Sequence, residues 1–396
     1  MPPFASIVGD EHVHAPAGST LDGAKIEAVV SPGGAEQVAA CLGAARDAGI
    51  ALVARGGGSK LHWGNPPDAG ALVLLDLSRL NAAPEVEPDE GIVTVEAGMA
   101  VGALARAAAE HGTRTSLDGS FPNATVGGTI AADPVGPSHS IEHRPRNDLL
   151  GLQVALPNGE LTRAGGKVVK NVTGFDLVRL YCGSLGTLGV ITQATLRLRS
   201  SPVARVVLRR DFSRLDAALG AVAELMSALE PAGVGLRTSG AGTALLWLLE
   251  GGEPSVAEYA GRFEGEDAGV EAWEELGREI GAPEPQTGSA RVRVGARPTD
   301  TPSICHELER LGGARALRLV LPRTGVAFAE IPAESLPELW RAVAVEGWAL
   351  FVERLPAELD YDVFGPEPDG LSLMRALKRR FDPDRVLAPG RYVGRI

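Results

Sequence analysis

Three glycine-rich segments hold the residues whose types and spacing could do chemistry. The first, residues 55–60, reads Arg-Gly-Gly-Gly-Ser-Lys and follows a predicted buried strand. Consecutive glycines let neighbouring backbone N–H groups converge on one anion, because no side chain stands in the way. The run predicts a phosphate-binding turn, with a flexible glycine turn as the alternative. It matches neither the P-loop pattern nor a G-x-G-x-x-G that opens a helix, since Pro66 and Pro67 follow.

The other two segments could bring more backbone to the same ligand. Residues 122–131 contain a pair of glycines flanked by threonines, which offers amide donors and hydroxyls to a ligand or forms a plain turn. In residues 183–191 a glycine recurs at every third position before an apolar strand. This spacing predicts a backbone pressed against a planar ligand.

Ionisable residues outside these segments give weaker signals. His139 and His143 are four residues apart and could share one face of a helix as metal ligands. Prolines bracket that stretch and no third ligand is evident, so no metal site is predicted. Lys167 and Lys170 could neutralise phosphates or face a partner, or they could lie on a solvated strand edge.

Composition excludes several classes of protein. The chain has 396 residues with 38 Lys and Arg against 50 Asp and Glu, a net charge of −12 that argues against nucleic acid as a partner. Its 3 cysteines are far apart and form no C-x-x-C pair, so neither a disulfide framework nor an iron–sulfur cluster is predicted. No secretory signal or membrane-spanning run is recognisable, which predicts a cytoplasmic protein without direct membrane insertion.

The elements that must position these segments follow an α+β pattern. Up to about residue 199, short apolar runs alternate with turns and helical stretches, including a helix over residues 35–48 with Ser31 or a neighbour as its cap. Asn158 and Gly159 predict the turn of a hairpin. Beyond residue 203, two βαββ-like units predict one antiparallel sheet covered by helices on one face. Residues 281–290 are expected to join the two units.

Together the three segments, with the C-terminal run FDPDRVLAPGRY, carry a family resemblance. Their order resembles the vanillyl-alcohol-oxidase/p-cresol-methylhydroxylase (PCMH) type of FAD-binding flavoproteins, and most of all the FAD-binding E subunits of bacterial glycolate oxidases. The resemblance implies a two-part FAD-binding domain over residues 1–200, an α+β cap or substrate domain over residues 203–355, and residues 356–396 completing the FAD domain. The cap sheet would cover the flavin.

The resemblance also implies which residues hold FAD. The first segment would wrap the diphosphate, the second would run along the diphosphate and flavin, and the third would cradle the ribityl and adenine end. The implied cofactor-binding residues are Arg55, Gly56, Gly57, Gly58, Ser59, Lys60, Gly64, Pro122, Thr125, Val126, Gly127, Gly128, Thr129, Ala131, Gly183, Gly186, Thr187, Gly189, Val190 and Ile191.

The sequence departs from the family at three places. Ser59 stands where relatives often carry a histidine that tethers the flavin, and residues 136–151 contain no cysteine, so noncovalent FAD is predicted. Ala388 replaces the asparagine of the usual Asn-Pro-Gly-Arg loop, which removes a side-chain hydrogen bond. Two histidines replace a basic stretch, so His139, His143 and Arg144 are candidates for the mouth of the flavin site.

The implied function is an FAD-dependent oxidoreductase that acts on CH–OH groups. The first hypothesis is the FAD-binding subunit of a glycolate-oxidase-like complex that oxidises a 2-hydroxy acid, with a second flavoprotein subunit and an iron–sulfur subunit as candidate partners and peripheral membrane attachment through a partner. The alternatives are a stand-alone oxidase or dehydrogenase of another alcohol or sugar acid, and a flavin-binding relay subunit without substrate chemistry. A MurB-like reductase is a minor alternative. The catalytic residues are not assigned.

Overall fold

The computed structural model describes residues 4–16, 18, 20–117, 120–140, 144–167, 175–281, 287–356 and 359–396. The helices are α1 (Ala5–Val8), α2 (Ala35–Ala48), α3 (Val101–Ala109), α4 (Val126–Ala132), α5 (Pro145–Asp148), α6 (Leu177–Tyr181), α7 (Leu215–Ala228), α8 (Glu253–Ala260), α9 (Val270–Ile280), α10 (Thr301–Gly312), α11 (Leu336–Glu346) and α12 (Leu371–Phe381).

The strands run from β1 to β20 in chain order. They are β1 (Val13–His14), β2 (Thr20–Leu21), β3 (Ala24–Val30), β4 (Ala51–Arg55), β5 (Ala71–Asp76), β6 (Glu85–Glu87), β7 (Ile92–Glu96), β8 (Thr113–Arg114), β9 (Leu149–Ala155), β10 (Leu161–Gly165), β11 (Val190–Arg197), β12 (Arg199–Ser200), β13 (Ala204–Phe212), β14 (Gly233–Ser239), β15 (Gly242–Gly251), β16 (Glu266–Asp267), β17 (Ser289–Gly295), β18 (Leu317–Leu321), β19 (Val326–Pro332) and β20 (Ala349–Arg354).

The chain divides into two compact units. Unit 1 comprises Met1–Pro134, Pro145–Ser200 and Glu367–Ile396, and unit 2 comprises Val135–Arg144 and Ser201–Pro366. The mixed α and β content confirms the predicted fold class. The assignment of the units as a cofactor domain and a substrate domain stays a prediction.

Unit 1 contains two larger sheets. In the first, β3, β5 and β4 are parallel neighbours with β1 and β2 at the edge. In the second, the order β10-β9-β11-β7-β6 is antiparallel throughout. The predicted β9–β10 hairpin is confirmed, and Gly159 takes the positive φ of 86° that its turn requires. Buried apolar side chains of α2, β3, β4 and β5 form one core with Val386 and Leu387.

The helix α2 has the predicted bounds. Its N-cap is Gly34, a neighbour of Ser31 rather than Ser31 itself, and it supplies no side chain to the first turn. The side chain of Gln37 instead accepts a hydrogen bond from the Gly33 amide at 2.7 Å, which satisfies a donor just before the first turn. Gly49 ends the helix in the left-handed conformation.

Unit 2 is built on one antiparallel sheet, as predicted, with the order β16-β13-β15-β14-β18-β19-β17-β20. Helices cover both of its faces rather than one. A Cβ on Gly235 would meet Leu276 of α9, whereas Gly312 of α10 lies against Ile331. The strand register places Gly235 and Ile331 on opposite faces.

The helix α9 was not predicted. Its buried residues Trp273, Leu276 and Ile280 follow helical spacing. Residues 282–286 of the expected joining segment lie outside the described residues, and β17 already begins at Ser289. Within the described ranges, no helix is both long and apolar enough to cross a membrane.

Candidate functional site

The first glycine segment begins where β4 ends. The guanidinium of Arg55 donates to the carboxylate of Asp76, at the end of the parallel strand β5. Asp76 is 8% exposed and also accepts from the Ser78 amide at 2.9 Å. Burial acts to raise the pKa of Asp76, but the hydrogen bonds from Arg55 and Ser78 outweigh it and hold the pKa below its usual range. Arg55 is therefore fixed at the start of the segment.

The backbone amides that follow Arg55 are unused by the main chain. Among the described residues, those of Gly56, Gly57, Gly58 and Ser59 donate to no backbone carbonyl. Gly56 and Ser59 are half-buried and Gly57 and Gly58 are exposed, so the four amides can be reached from solvent. These N–H groups are available to an external acceptor.

The glycines of this segment are required by a close neighbour. A Cβ on Gly57 would lie 1.6 Å from the carbonyl oxygen of Asn123, and a Cβ on Gly56 would lie 2.0 Å from Thr125 Oγ1. The first and second segments therefore pack directly against each other. A larger side chain at either position would separate them.

The second segment is a short helix rather than a loop. Thr125 is the N-cap of α4, and its Oγ1 accepts from the Gly128 amide at 3.4 Å. The Gly127 amide donates to the Ala97 carbonyl at 2.8 Å. The expectation that these two glycine amides face a ligand is therefore wrong, because capping and packing on the neighbouring chain use both donors.

The third segment is docked on the end of α4. The Gly183 amide donates to the Ile130 carbonyl at 3.0 Å, and the Leu185 amide donates to the Ala131 carbonyl at 2.8 Å. Gly183 and Gly186 have φ of 78° and 73°, a region that glycine enters without strain. The three segments thus form one connected structure.

Two adjoining clefts in unit 1 lie where these segments meet. The predicted site residues that line them are Arg55, Gly56, Gly57, Gly58, Ser59, Lys60, Thr125, Gly127, Gly128, Ala131, Gly186, Gly189, Val190 and Ile191. The structure therefore brings most of the predicted residues together.

The remaining predicted residues are not among the described residues that line the two clefts. They are Gly64, Pro122, Val126, Thr129, Gly183 and Thr187. Val126, Thr129 and Thr187 are buried, and Pro122 is exposed. A Cβ on Gly64 would lie 2.6 Å from the Arg391 carbonyl oxygen, so the absence of a side chain at Gly64 lets the C-terminal loop pack closely against it.

Sequence reasoning missed several lining residues, of which Arg391 is the most informative. It lines the larger cleft, is 3% exposed and donates to Asp22 and to the carbonyls of Leu61 and Trp63. Burial lowers the pKa of its guanidinium, and Asp22 opposes that shift. Leu185 and Leu77 were also missed, since apolar residues carry no distinctive sequence signal.

Of the other sequence candidates, those that the structure describes are not among the residues that line the two clefts. His139 and Arg144 belong to unit 2, where His139 Nδ1 accepts from the Gly136 amide at 2.9 Å. Lys167 is exposed and pairs with Glu85 and Glu87, which matches the strand-edge alternative. His143 and Lys170 lie outside the described residues. No group of potential metal ligands occurs within the ranges that the structure describes.

Comparison with known proteins adds the identity of the cofactor. Residues 26–165 match the family described as FAD binding domain. The chain is 32% identical to glycolate oxidase subunit GlcD of Bacillus subtilis over 51% of this chain and 43% of that protein. It is 34% identical to a D-lactate dehydrogenase of Archaeoglobus fulgidus (51% and 45%) and 32% identical to glycolate oxidase subunit GlcE of Escherichia coli (57% and 63%).

The fold has solved counterparts as well. A structure of alkyldihydroxyacetonephosphate synthase superposes with a TM-score of 0.64 at 15% identity, covering 92% of this chain and 76% of that one. The chain spans less than two thirds of the length of these curated relatives. The match of residues 26–165 to the FAD binding domain family gives FAD as the cofactor of this chain.

Proposed function

We propose that the four amides of residues 56–59 hold the diphosphate of FAD. The observation that carries this proposal is the row of donors without a main-chain acceptor, placed in the wall of the larger cleft. Successive N–H groups in a glycine turn form an anion-binding concavity, and their hydrogen bonds to a charged acceptor are stronger than those to a neutral one. The cationic side chains of Arg55, Lys60 and Arg391 line the same cleft and complement a dianion.

The second and third segments bind the rest of the cofactor in this proposal. Thr125, Gly128 and Ala131 line both clefts and would run along the diphosphate and flavin. Gly186 and Gly189 to Ile191 line the smaller cleft and would contact the ribityl and adenine end. Gly127 would act by close packing, because its amide is already bonded to Ala97.

The cofactor is bound noncovalently in this proposal. The side chain at position 59 is a serine hydroxyl, and Lys60 Nζ lies 3.2 Å from its oxygen. A serine cannot form the histidyl bond to a flavin. Denaturation with acid would therefore release free FAD into the supernatant.

The activity that we propose is oxidation of a 2-hydroxy acid. It is supported by the names of the relatives, which include glycolate oxidase subunits, D-lactate dehydrogenases and a D-2-hydroxyglutarate dehydrogenase. When bound, FAD would accept a hydride from the carbon that bears the hydroxyl, and a protein base that is not assigned to a residue would take the hydroxyl proton. In this proposal the residues of unit 1 hold the cofactor and fix its orientation.

Partner subunits complete the proposal. Two of the relatives are named as subunits of glycolate oxidase, and the sequence carries no cysteine motif for an iron–sulfur cluster. An iron–sulfur protein would then take electrons one at a time, with a second flavoprotein subunit in the same complex.

Anaerobic reduction of the bound flavin tests the activity. The purified protein would be mixed with glycolate, D-lactate or D-2-hydroxyglutarate, and the absorbance near ~450 nm followed. Bleaching by a 2-hydroxy acid is the expected result. A flavin that dithionite reduces but no hydroxy acid does would instead support the relay alternative, and rapid reoxidation by dioxygen alone would favour a stand-alone oxidase.

A further inference from the structure

Lys378 is a buried cation that the proposed function does not use. It lies on α12, is 6% exposed, and its Nζ donates to Asp382 Oδ2 at 2.6 Å, to the Leu387 carbonyl at 2.7 Å and to the Thr187 carbonyl at 2.8 Å. A lysine ammonium has three donors, so all three are occupied. The single side chain therefore joins α12, the C-terminal loop and the third glycine segment.

Asp382 completes the same cluster from the C-terminal side. It is 1% exposed, and its two oxygens accept from the amides of Val386 at 2.9 Å and Leu387 at 2.8 Å. These two residues flank β4, because the Leu52 amide donates to the Val386 carbonyl at 2.7 Å and the Ala388 amide donates to the Leu52 carbonyl at 2.8 Å. The strand β4 leads directly into residues 56–59.

Thr187 connects the cluster to the cleft. Its Oγ1 donates to the Ser184 carbonyl at 2.7 Å, which closes the turn that contains Leu185 and Gly186. Both of those residues line the smaller cleft. Through its bonds to the Leu387 and Thr187 carbonyls, Lys378 therefore contacts the residues that support two parts of the clefts: the segment that follows β4 and the third glycine segment.

Stability alone does not explain a buried ion pair. Removing two charges from water costs about as much as their attraction returns, and apolar replacements of such pairs are often neutral for folding. Burial lowers the pKa of Lys378 and Asp382 opposes that shift, so the site carries a desolvation cost. What hydrophobic packing cannot supply is a directed bond to the Thr187 carbonyl.

We propose that Lys378 is a positioning residue for the cofactor, which holds the third glycine segment in register with the first through the Thr187 carbonyl and Asp382. This inference rests on the proposed function of the clefts. The affinity for FAD is then more sensitive to the loss of Lys378 than the stability of the apoprotein is.

The test compares the double variant Lys378→Met/Asp382→Asn with a second ion pair of unit 1. Asp148 is fully buried and accepts from Arg199 at 2.7 and 3.0 Å, the Arg199 side chain is 32% exposed, and neither residue is among those that line the two clefts. The control is therefore Arg199→Met/Asp148→Asn. The variant Lys378→Gln/Asp382→Asn, which removes both charges and keeps an uncharged donor at position 378, serves if the first double variant does not fold.

Three quantities are measured for each apoprotein: the thermal midpoint, the dissociation constant for FAD by titration, and amide hydrogen exchange over residues 183–188. We expect the Lys378 variants to weaken FAD binding about tenfold or more and to speed exchange in that segment, with the control changing neither. The proposal is overturned if FAD affinity and exchange match those of the control at equal stability. Failure of the unmodified protein to bind FAD would refute the proposed function, and the exchange measurement would still decide whether Lys378 holds the segment.

Discussion

The guanidinium of Arg391 donates to the main-chain carbonyl of Leu61, 2.6 Å away. A further bond to Asp22 spans 3.1 Å, and together they hold the chain just after the first glycine segment. Ala388, which stands where the family carries an asparagine, takes no part in these bonds.

Replacement of Arg391 by methionine should loosen that loop. It leaves the Leu61 and Trp63 carbonyls without a charged donor, so we expect a loss of about 2–3 kcal/mol in the free energy of unfolding and weaker FAD binding. Chemical denaturation of the apoprotein and FAD titration measure the two effects. Unchanged values of both would show that the contact is incidental.

A side chain at Gly128 should block the cofactor without unfolding the protein. A Cβ there meets only Thr125 Oγ1, at 3.1 Å, and the position lines both clefts. We expect Gly128→Leu to lower the flavin content of the purified protein and to keep its thermal midpoint. Gly102→Leu is the matched control, since Gly102 is also helical but exposed and meets only Arg106, at 3.7 Å. Full flavin content in Gly128→Leu would place the cofactor elsewhere.

Gly57 should behave differently from Gly128. Its Cβ would collide with the Asn123 carbonyl rather than enter open space. Gly57→Ala is therefore expected to lower both the thermal midpoint of the apoprotein and its affinity for FAD. If the midpoint stays at the unmodified value, the two segments can separate freely and the packing argument fails.

The ion pair of Arg55 and Asp76 should be visible in the pH dependence of stability. The pKa of Asp76 in the folded protein lies below its usual range. The ion pair therefore stabilises the folded state fully above the pKa of an unfolded aspartate, about 3.9, and this stabilisation is lost as the pH falls below that value. Thermal midpoints of the unmodified protein and Asp76→Asn should differ at neutral pH and converge below about pH 4. A difference that is constant with pH would rule out this linkage.

The cysteines should be unreactive in the folded protein. All three are buried, and burial raises the pKa of Cys41 and Cys305 to about 12. A thiol reagent should label them only after unfolding. Fast labelling in native buffer would contradict the described packing of α2 and α10.

Much of the fold followed from local sequence patterns. The helix Ala35–Ala48 has the predicted bounds, because apolar period and stop signals agree there, and the hairpin of β9 and β10 turns at the predicted Asn158 and Gly159. The helix α4 was missed because paired glycines disfavour helices, and its Thr125 cap and tertiary packing overcome that preference. Arg391 and Lys378 act through carbonyls far away in the sequence, which no local pattern reveals.

A crystal structure of the FAD-loaded protein would show directly where the diphosphate binds. We expect its oxygens at hydrogen-bond distance, about 2.7–3.2 Å, from the amide nitrogens of residues 56–59. A diphosphate bound elsewhere, with those four amides facing water, would contradict it.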